Sequence, residues 1–265
     1  MLCFLPRPRP LSLEEHRNRN LPEQQRISSL ADYDQLFNQA VDDYVAFLGD
    51  NEILTMRDYM APSLRERIGS FQPVQSDDQL RGFFSEVSYR DPLTMRTHGH
   101  HWFDLAMMAE EPHPSPIRAT PTLYNIWDSR AEGKATGMEE WMMNAGLFDD
   151  NPRSRELIYI LIAQRAARGI SGLLLHANEF LMEDAVRFAA SGTPRGYIPE
   201  DSNTVLGEQY FYQQQPYYGA SYLGGKHQIE EFMAERIADL GDSYSIKRFW
   251  DEVEASGLIP ASIIR

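Results

Sequence analysis

Residues 153–180 read RSRELIYILIAQRAARGISGLLLHANEF, and no other stretch of the chain predicts so long a buried helix. Apolar side chains recur there at spacings of three and four residues and form one wide face. The members of this face are Leu157, Ile158, Leu161, Ile162, Ile170, Leu174 and Leu175. Gly169 and Gly172 interrupt it. We therefore expect this segment to be the longest buried helix of the chain.

Further helices are predicted on both sides of this segment, and no strand of useful length. They cover residues 29–48, 99–110, 122–145 and 204–239, with a last helix after Ser245. The first helix has an apolar face made of Tyr33, Phe37, Val41, Tyr44 and Leu48. Ser245 is a natural N-cap, Gly146 and Gly257 suit the position after a helix end, and Pro216 kinks or splits the helix at 204–239. The sequence predicts an all-α fold, an irregular multi-helix bundle at 29–265 preceded by an arm at 1–28.

The composition is typical of a soluble globular protein. The chain has 39 acidic and 25 Lys or Arg residues, a net charge of −14, so it lacks the basic surface that nucleic acid requires. We find no apolar run near the roughly 20 residues that span a bilayer. The lone cysteine, Cys3, cannot form an internal disulfide, which suits a reducing compartment. We expect a cytoplasmic protein that binds neither nucleic acid nor membrane.

Histidines are concentrated at residues 98–101. His98, His100 and His101 fall within four residues and are followed by Asp104. On a helix, His100 and Asp104 share one face at i, i+4, and His98 and His101 share another at i, i+3. Because His98 and His101 cannot both point at the same place as His100, we expect at least one of them at the surface. Such spacing can offer two ligands to a metal, although histidines on a solvated helix give the same pattern.

Two carboxylates follow about thirty residues later. Glu132 and Glu139 are seven residues apart, so they point to the same side of a helix. A helix that carries histidines and a helix that carries a carboxylate can converge on one ion in a bundle core. The sequence therefore allows a divalent metal site, with zinc or iron as the candidate ions.

Five segments of the chain resemble, in order, the motifs of a known family. They are EGKATGME at 132–139, GLFDD at 146–150, RAARGISGLLLH at 165–176, PYYGASYLGG at 216–225 and FWDEVEASGLIP at 249–260. Four of them are similar to E-G-W-A-L-Y-x-E, G-L-Y-D-D, R-A-x-R-L-x-x-D-x-G-x-H and P-G-Q-x-x-S-Y-x-x-G, and the fifth to the family's end. The family is the one catalogued as domain of unknown function 885, whose members are gluzincin-type metallopeptidases. The resemblance implies the C-terminal half of that fold, because members are about twice as long.

The first motif of the family, H-E-x-x-P-G-H-H, is only partly present. Aligning its G-H-H with residues 99–101 places Thr94 and Met95 where the family has its first ligand and its general base. The resemblance implies that His100 and Glu132 are retained ligands. A zinc peptidase needs three protein ligands and a carboxylate base, so proteolysis by the family's mechanism is not expected. Lys134 and Gly137 replace the family's Trp and Tyr, which places a cation and extra room beside Glu132.

The resemblance also implies roles for the other residues of a repurposed enzyme site. One of His98, His101 or Asp104 supplies the third ligand beside His100 and Glu132. Tyr222 donates to an oxyanion, His176 acts as an acid, base or supporting group, and Glu132 takes part in catalysis. Arg168, Lys134 and Glu139 bind the substrate, which we expect to be a small molecule undergoing hydrolysis, hydration, dehydration or isomerisation.

Each of these residues also has a structural interpretation. Tyr222 can be a core residue, Arg168 can pair with Glu132 or Glu139, and His176 can end a helix. The whole chain can then be a non-catalytic binding module, in which Tyr210, Phe211, Tyr212, Tyr217 and Tyr218 supply interface material. A homodimer, or a partner chain that completes the cleft, would cover such a surface.

Overall fold

The computed structural model describes residues 27, 29–67, 71, 87–89, 91–121, 124–193, 198–201 and 203–264. Within these ranges the regular elements are helices, and no strand occurs, so the all-α prediction is confirmed. The α-helices are α1 (Leu30–Asp50), α2 (Met60–Arg65), α3 (Pro92–His98), α4 (His101–Glu110), α5 (Pro116–Ala119), α6 (Tyr124–Asn144), α7 (Pro152–His176), α8 (Met182–Gly192), α9 (Asn203–Gln214), α10 (Tyr218–Leu240) and α11 (Ile246–Ala255). Most of the predicted arm, with Cys3, lies outside the described residues.

Side-chain caps and glycines mark the starts and ends of helices at the predicted residues. The Ser245 hydroxyl accepts a hydrogen bond from the Arg248 N–H at 3.2 Å and starts α11. Gly146 and Gly257 follow α6 and α11 with φ of 103° and 70°, the left-handed region in which glycine is favoured. Pro216 lies in the break between α9 and α10 and splits the predicted helix in two.

The first helix confirms its predicted apolar face. Ser29 caps α1 by accepting from the Asp32 N–H at 3.1 Å. All five predicted face residues are buried, and Val41, Tyr44 and Leu48 join the main hydrophobic core. That core also takes Phe103 from α4, Met138 and Met142 from α6, Ile229 and Phe232 from α10, and Phe249, Trp250 and Val253 from α11.

Three boundaries differ from the sequence prediction. The histidine region is not one helix from 99, because α3 begins at Pro92, capped by the Asp91 carboxylate, and ends at His98. The core helix α7 ends at His176 rather than near 180, since Asn178 adopts a left-handed φ of 58°. Helix α8 was not predicted, although Ala185, Val186 and Ala189 form its buried apolar face.

Helix α7 confirms only the first half of its predicted apolar face. Leu157, Ile158 and Leu161 are buried, whereas Ile170 is 48% exposed, and the buried side of the second half carries Arg165 and Arg168. Helix α7 packs against α8 on one side and α10 on the other, and α10 also packs along α6. By length and composition α7 is the one helix within the described ranges that would be able to cross a membrane, contrary to the sequence estimate, but 61% of its apolar window is buried inside the protein. Core helices pass the same test, so this finding is weak evidence for a span.

Candidate metal centre

Helices α6 and α10 cross in backbone contact, and this contact positions the site. A Cβ atom on Gly133 would lie 2.4 Å from the carbonyl carbon of Gly225, so neither helix tolerates a side chain at the crossing. Glu132 precedes Gly133, whereas Tyr218 and Tyr222 lie one to two turns before Gly225. The crossing therefore brings the Glu132 carboxylate against two phenol hydroxyls.

Two histidines approach the same carboxylate from the junction between α3 and α4. Gly99 and His100 separate the two helices but keep right-handed helical angles, with φ of −61° and −57°. The i, i+3 spacing of His98 and His101 is thus preserved, and their ring centroids are 5.4 Å apart. One nitrogen of each ring and one Glu132 oxygen all lie within 4.8 Å of one another. We call these three residues the His–Glu site.

The hydrogen-bond partners of His98 fix which of its nitrogens faces the site. Its Nδ1 lies 3.0 Å from Glu139 Oε1. Arg165 holds the same carboxylate with two hydrogen bonds of 2.6 and 2.7 Å. Burial alone raises the pKa of Glu139, but the charges and hydrogen bonds of Arg165 and His98 lower it overall, so the group is ionised. We assign the proton to Nδ1 because its contact with the ionised Glu139, at 3.0 Å, is shorter than the 3.3 Å between the same nitrogen and Arg165 Nη2. In this tautomer the Nε2 lone pair is 3.6 Å from Glu132 Oε2.

Glu132 keeps one oxygen for the same space. Tyr218 donates its hydroxyl proton to Oε1 at 2.5 Å, and the Tyr218 and Tyr222 hydroxyls are hydrogen-bonded to each other. Oε2 is buried and has no hydrogen-bond partner in the described part of the chain. In the tautomer assigned above, Nε2 of His98 and Oε2 of Glu132 are two acceptors that face each other.

His101 completes the set with a neutral ring. Burial, and then the neighbouring His98, lower the pKa of His101 to about 4. At neutral pH its imidazole is therefore unprotonated and has a lone pair to offer, as metal ligation requires. Both histidines are partly buried, so the expectation that one of them lies at the surface is wrong.

This arrangement has the donor chemistry of a divalent-metal site. Two imidazoles and one carboxylate match catalytic zinc sites and the iron sites of oxygenases, both of which leave positions open for water or substrate. A carboxylate on the second nitrogen of a ligating histidine, as Glu139 provides for His98, is typical of such sites because it orients the ring.

His100 and Asp104 lie in a different buried cluster. Successive residues on a helix point about 100° apart, so His100 turns away from the side that His98 and His101 share. Its Nδ1 is 3.2 Å from the Tyr44 hydroxyl, and its pKa is well below the ordinary value because of burial and the charge of Lys134. Neither His100 nor Asp104 belongs to the ligand group. The structure thus replaces the predicted His100–Glu132 pair with His98, His101 and Glu132.

Lys134 is not free to bind a substrate. It is fully buried, donates to Asp104 at 2.8 Å, lies 3.5 Å from Glu254 and stands over the Trp250 ring at 5.3 Å. We call Asp104, Lys134 and Glu254 the lysine cluster. The extra room expected beside Glu132 is also absent, because a Cβ on Gly137 would lie 2.2 Å from the Trp141 ring.

The remaining predicted site residues divide into near and distant groups. Tyr222 lies at the site, with its ring 6.4 Å from that of His98. Arg168 lies behind Tyr222, 5.8 Å from its ring, and pairs with Glu208. His176 donates from Nε2 to the Tyr212 carbonyl at 2.8 Å and lies at the end of α7. This position agrees with a structural role, in which His176 ends a helix. Glu139 contacts His98 rather than open space. It is therefore placed to orient a candidate metal ligand and not to bind a substrate.

The two residues that align with the His-Glu of the similar family, Thr94 and Met95, offer no metal ligand. Thr94 is fully buried in the first turn of α3, where its N–H donates to the Asp91 cap at 3.1 Å. Met95 follows it with a side chain that neither accepts a proton nor binds a hard ion. The carboxylate nearest His98 on its Nδ1 side, Glu139, is held by Arg165.

Two residues of the site were not predicted. Arg165 was quoted in a motif, but Arg168 was preferred as the functional arginine, although both are close to a carboxylate in space. Tyr218 is among the aromatic residues that the sequence suggests for an interface, but its hydroxyl lies against Glu132. Its i, i+4 spacing from Tyr222 is the signal that places both hydroxyls on one helix face.

Comparison with models of protein families, with curated proteins and with solved structures finds no match to this chain.

Proposed function

We propose that this chain is a repurposed relative of the domain-of-unknown-function 885 family, an enzyme that uses a divalent metal at the His–Glu site to act on a small molecule. The observation that supports the proposal is the pair of facing acceptors, His98 Nε2 and Glu132 Oε2, 3.6 Å apart beside a neutral His101. A cation that they share would remove their mutual repulsion, and zinc and iron both accept this ligand set.

A bound divalent ion would supply Lewis-acid chemistry, polarising a substrate oxygen or acidifying a water molecule. The protein's own contribution lies in its hydroxyls. Burial first, and the Glu132 charge second, raise the pKa values of Tyr218 and Tyr222, so both keep their protons at neutral pH. A protonated hydroxyl beside a reaction centre donates to an oxygen that gains negative charge. The Tyr218 proton is held by Glu132, so Tyr222 is the hydroxyl that would donate to such an oxygen, in exchange for its hydrogen bond with Tyr218. This role suits hydrolysis, hydration, dehydration and isomerisation.

The same geometry argues against peptidase activity. Glu132 is engaged as a ligand candidate and by Tyr218, and Glu139 is engaged by Arg165 and His98. Neither carboxylate is free to take a proton from a nucleophilic water, and Thr94 and Met95 supply no substitute. The proposal is therefore an enzyme of the hydrolase, lyase or isomerase type without proteolytic function.

The alternative proposal is a non-catalytic module that binds a partner or a second copy of the chain. It rests on a metal-free arrangement in which a doubly protonated His98 donates to both Glu132 and Glu139. Aromatic side chains near the site would then serve an interface, since Tyr210, Phe211 and Tyr217 are 54%, 37% and 36% exposed. A homodimer or a heteromeric partner would cover them.

Metal content separates the two proposals. Metal is removed from the protein with a chelator, Zn²⁺ or Fe²⁺ is added back, and the bound metal per chain is measured by elemental mass spectrometry. We expect one equivalent in the wild type and a loss of at least about a hundredfold in affinity in Glu132→Gln and His101→Ala, because each removes one of three ligands. His227→Ala is the matched control, since His227 is 70% exposed on α10.

A wild-type chain that holds no metal after reconstitution would remove the metal enzyme and favour the module. Metal that persists in His101→Ala but is lost in both His100→Gln and Glu132→Gln would restore the ligand set implied by the family. Turnover of casein by the reconstituted chain would contradict the loss of peptidase function.

A further inference from the structure

A second candidate site lies away from the His–Glu site. A cavity of about 240 Å³ opens between α4, α5, α6 and α11. None of the three His–Glu residues lines it. The polar side chains that matter for its chemistry are Arg57, Arg118, Arg130, Asp251 and Glu254.

The carboxylates that line the cavity lack hydrogen-bond donors. Glu254 is 7% exposed, and its Oε2 has no hydrogen-bond partner among the residues that the structure describes. Its Oε1 is 3.5 Å from Lys134, whose shorter bond of 2.8 Å goes to Asp104. Asp251 likewise has a buried oxygen, Oδ1, without a described partner. A buried carboxylate without donors is unfavourable, so the cavity wall favours a ligand that brings them.

The basic side of the cavity is largely occupied. Arg57 donates to Glu111 at 3.0 Å and to the Thr55 carbonyl at 2.7 Å. Arg130 donates to the carbonyls of Gly257 and Val253 at 2.7 and 2.9 Å and keeps one donor, Nε, without a described partner. The Arg118 side chain makes one long hydrogen bond, to the Ser256 carbonyl at 3.4 Å. An anionic ligand would thus have Arg118 to bind but would displace hydrogen bonds at Arg57 and Arg130, whereas a cationic ligand would supply donors that two carboxylates lack.

We propose that this cavity binds a small organic cation whose primary ammonium group donates to Glu254 and Asp251. Met107, Met108 and Leu258 also line the cavity and provide apolar contact for a short aliphatic chain. The pKa of Glu254 supports the same view, because burial raises it and the partial compensation by Lys134 does not bring it back. The ligand's ammonium would stabilise the ionised carboxylate.

The test is isothermal titration calorimetry of the metal-free full chain with three probes of equal length: 1-butylamine, butyrate and 1-butanol. We expect saturable binding of butylamine at pH 7 and binding of the other two at least about tenfold weaker. Glu254→Gln keeps the side-chain shape and removes the charge, and it should weaken butylamine binding at least about tenfold. Glu235→Gln, an exposed change on α10, should leave it unchanged.

Several results would overturn the proposal. They are the absence of saturable butylamine binding to the wild type, tighter binding of butyrate than of butylamine, and an unchanged butylamine affinity in folded Glu254→Gln. Circular dichroism reports whether that variant folds. If it does not, Asp251→Asn is the deciding variant, because Asp251 is 40% exposed at the rim and tolerates substitution. An unchanged affinity in Asp251→Asn would then reject the ammonium site.

Discussion

The His–Glu site and the lysine cluster are both buried polar networks on α6, yet their charges differ. In the lysine cluster Lys134 and the nearby Arg130 lower the pKa of Asp104, whereas they compensate the burial of Glu254 only in part. Around the His–Glu site, Glu132 and Glu139 contribute two negative charges, Arg165 contributes one positive charge, and His101 is neutral. One network contains its cation as a side chain, whereas the other keeps a negative excess that an ion from solution would offset.

Two aspartates report this difference. Burial alone raises the pKa of Asp104, but Lys134 and Arg130 lower it overall. Asp128, one turn before Glu132 on α6 and 4% exposed, has its pKa raised to about 6, first by burial and then by the Glu132 charge. The pKa values of these two aspartates are therefore shifted in opposite directions, although α4 and α6 pack against each other. The electrostatic contrast between the two networks is thus measurable without any metal.

Removing the built-in cation should have the largest effect. Lys134→Met keeps the length of the side chain and leaves Asp104 and Glu254 buried without their ammonium partner. We expect a loss of about 3–5 kcal/mol in the free energy of unfolding at pH 7, measured by urea denaturation. The loss should shrink below about pH 4, where these carboxyls protonate more readily.

Lys247→Met is the matched control. Lys247 pairs with Asp251 at 3.7 Å, but both side chains are about 40% exposed, so the change should cost less than about 1 kcal/mol. Equal losses in the two variants would mean that the buried Lys134 contributes no more to the free energy of unfolding than a surface lysine.

Changing the support of His98 should have an intermediate effect, on metal affinity. Glu139→Gln removes the ionised acceptor that fixes the His98 ring and is expected to weaken Zn²⁺ binding about 10- to 100-fold, measured by competition with a chromogenic chelator. The physical reason is that the ring loses its preferred tautomer, and its Nε2 becomes a weaker donor to the ion.

This variant also leaves the Arg165 guanidinium, 3% exposed, without a counter-charge. The double variant Glu139→Gln/Arg165→Met relieves that cost, so it should recover stability but not zinc affinity. Recovery of both would show that the zinc loss reflected unfolding rather than the support of His98.

The smallest expected effect concerns pH and Asp128. A carboxyl whose pKa is raised on folding stabilises the protein at low pH, and this stability is lost as the pH rises from about 4 towards 6. Asp128→Asn should remove that loss and stabilise the metal-free chain by about 2 kcal/mol at pH 7 relative to pH 4. The readout is urea denaturation as a function of pH. The exposed substitution Asp150→Asn should leave the profile as it is, and an identical profile in Asp128→Asn would refute the raised pKa.

The fold was predictable from local signals, because helix caps and apolar faces depend on residues that are close in sequence. Ser245, Gly146, Gly257 and the α1 face were placed correctly for this reason. Helix α8 was not predicted although its buried residues have helical spacing, and the start of α3 was missed because its signal, Asp91 followed by Pro92, is a cap without a strong apolar face. Local chemistry identifies helices better than it identifies their exact ends.

The site was predictable only in part. Spacing alone paired His98 with His101 and His100 with Asp104, and the structure contains both pairs. Which pair meets Glu132 depends on how α3 rotates against α6, and sequence spacing carries no information on that rotation. The family alignment selected His100. The partner of Glu139 depended likewise on tertiary packing, which chose Arg165 over Arg168.

The crossing of Gly133 and Gly225 has a consequence for how such a site changes over time. Since the two helices are registered by main-chain atoms, the distance between them does not depend on which side chains surround the crossing. Ligands, bases and cations on either side can be exchanged one at a time while the scaffold keeps its spacing. A protein built on this joint can lose one chemistry and acquire another without passing through an unfolded intermediate, and the joint offers engineers the same freedom.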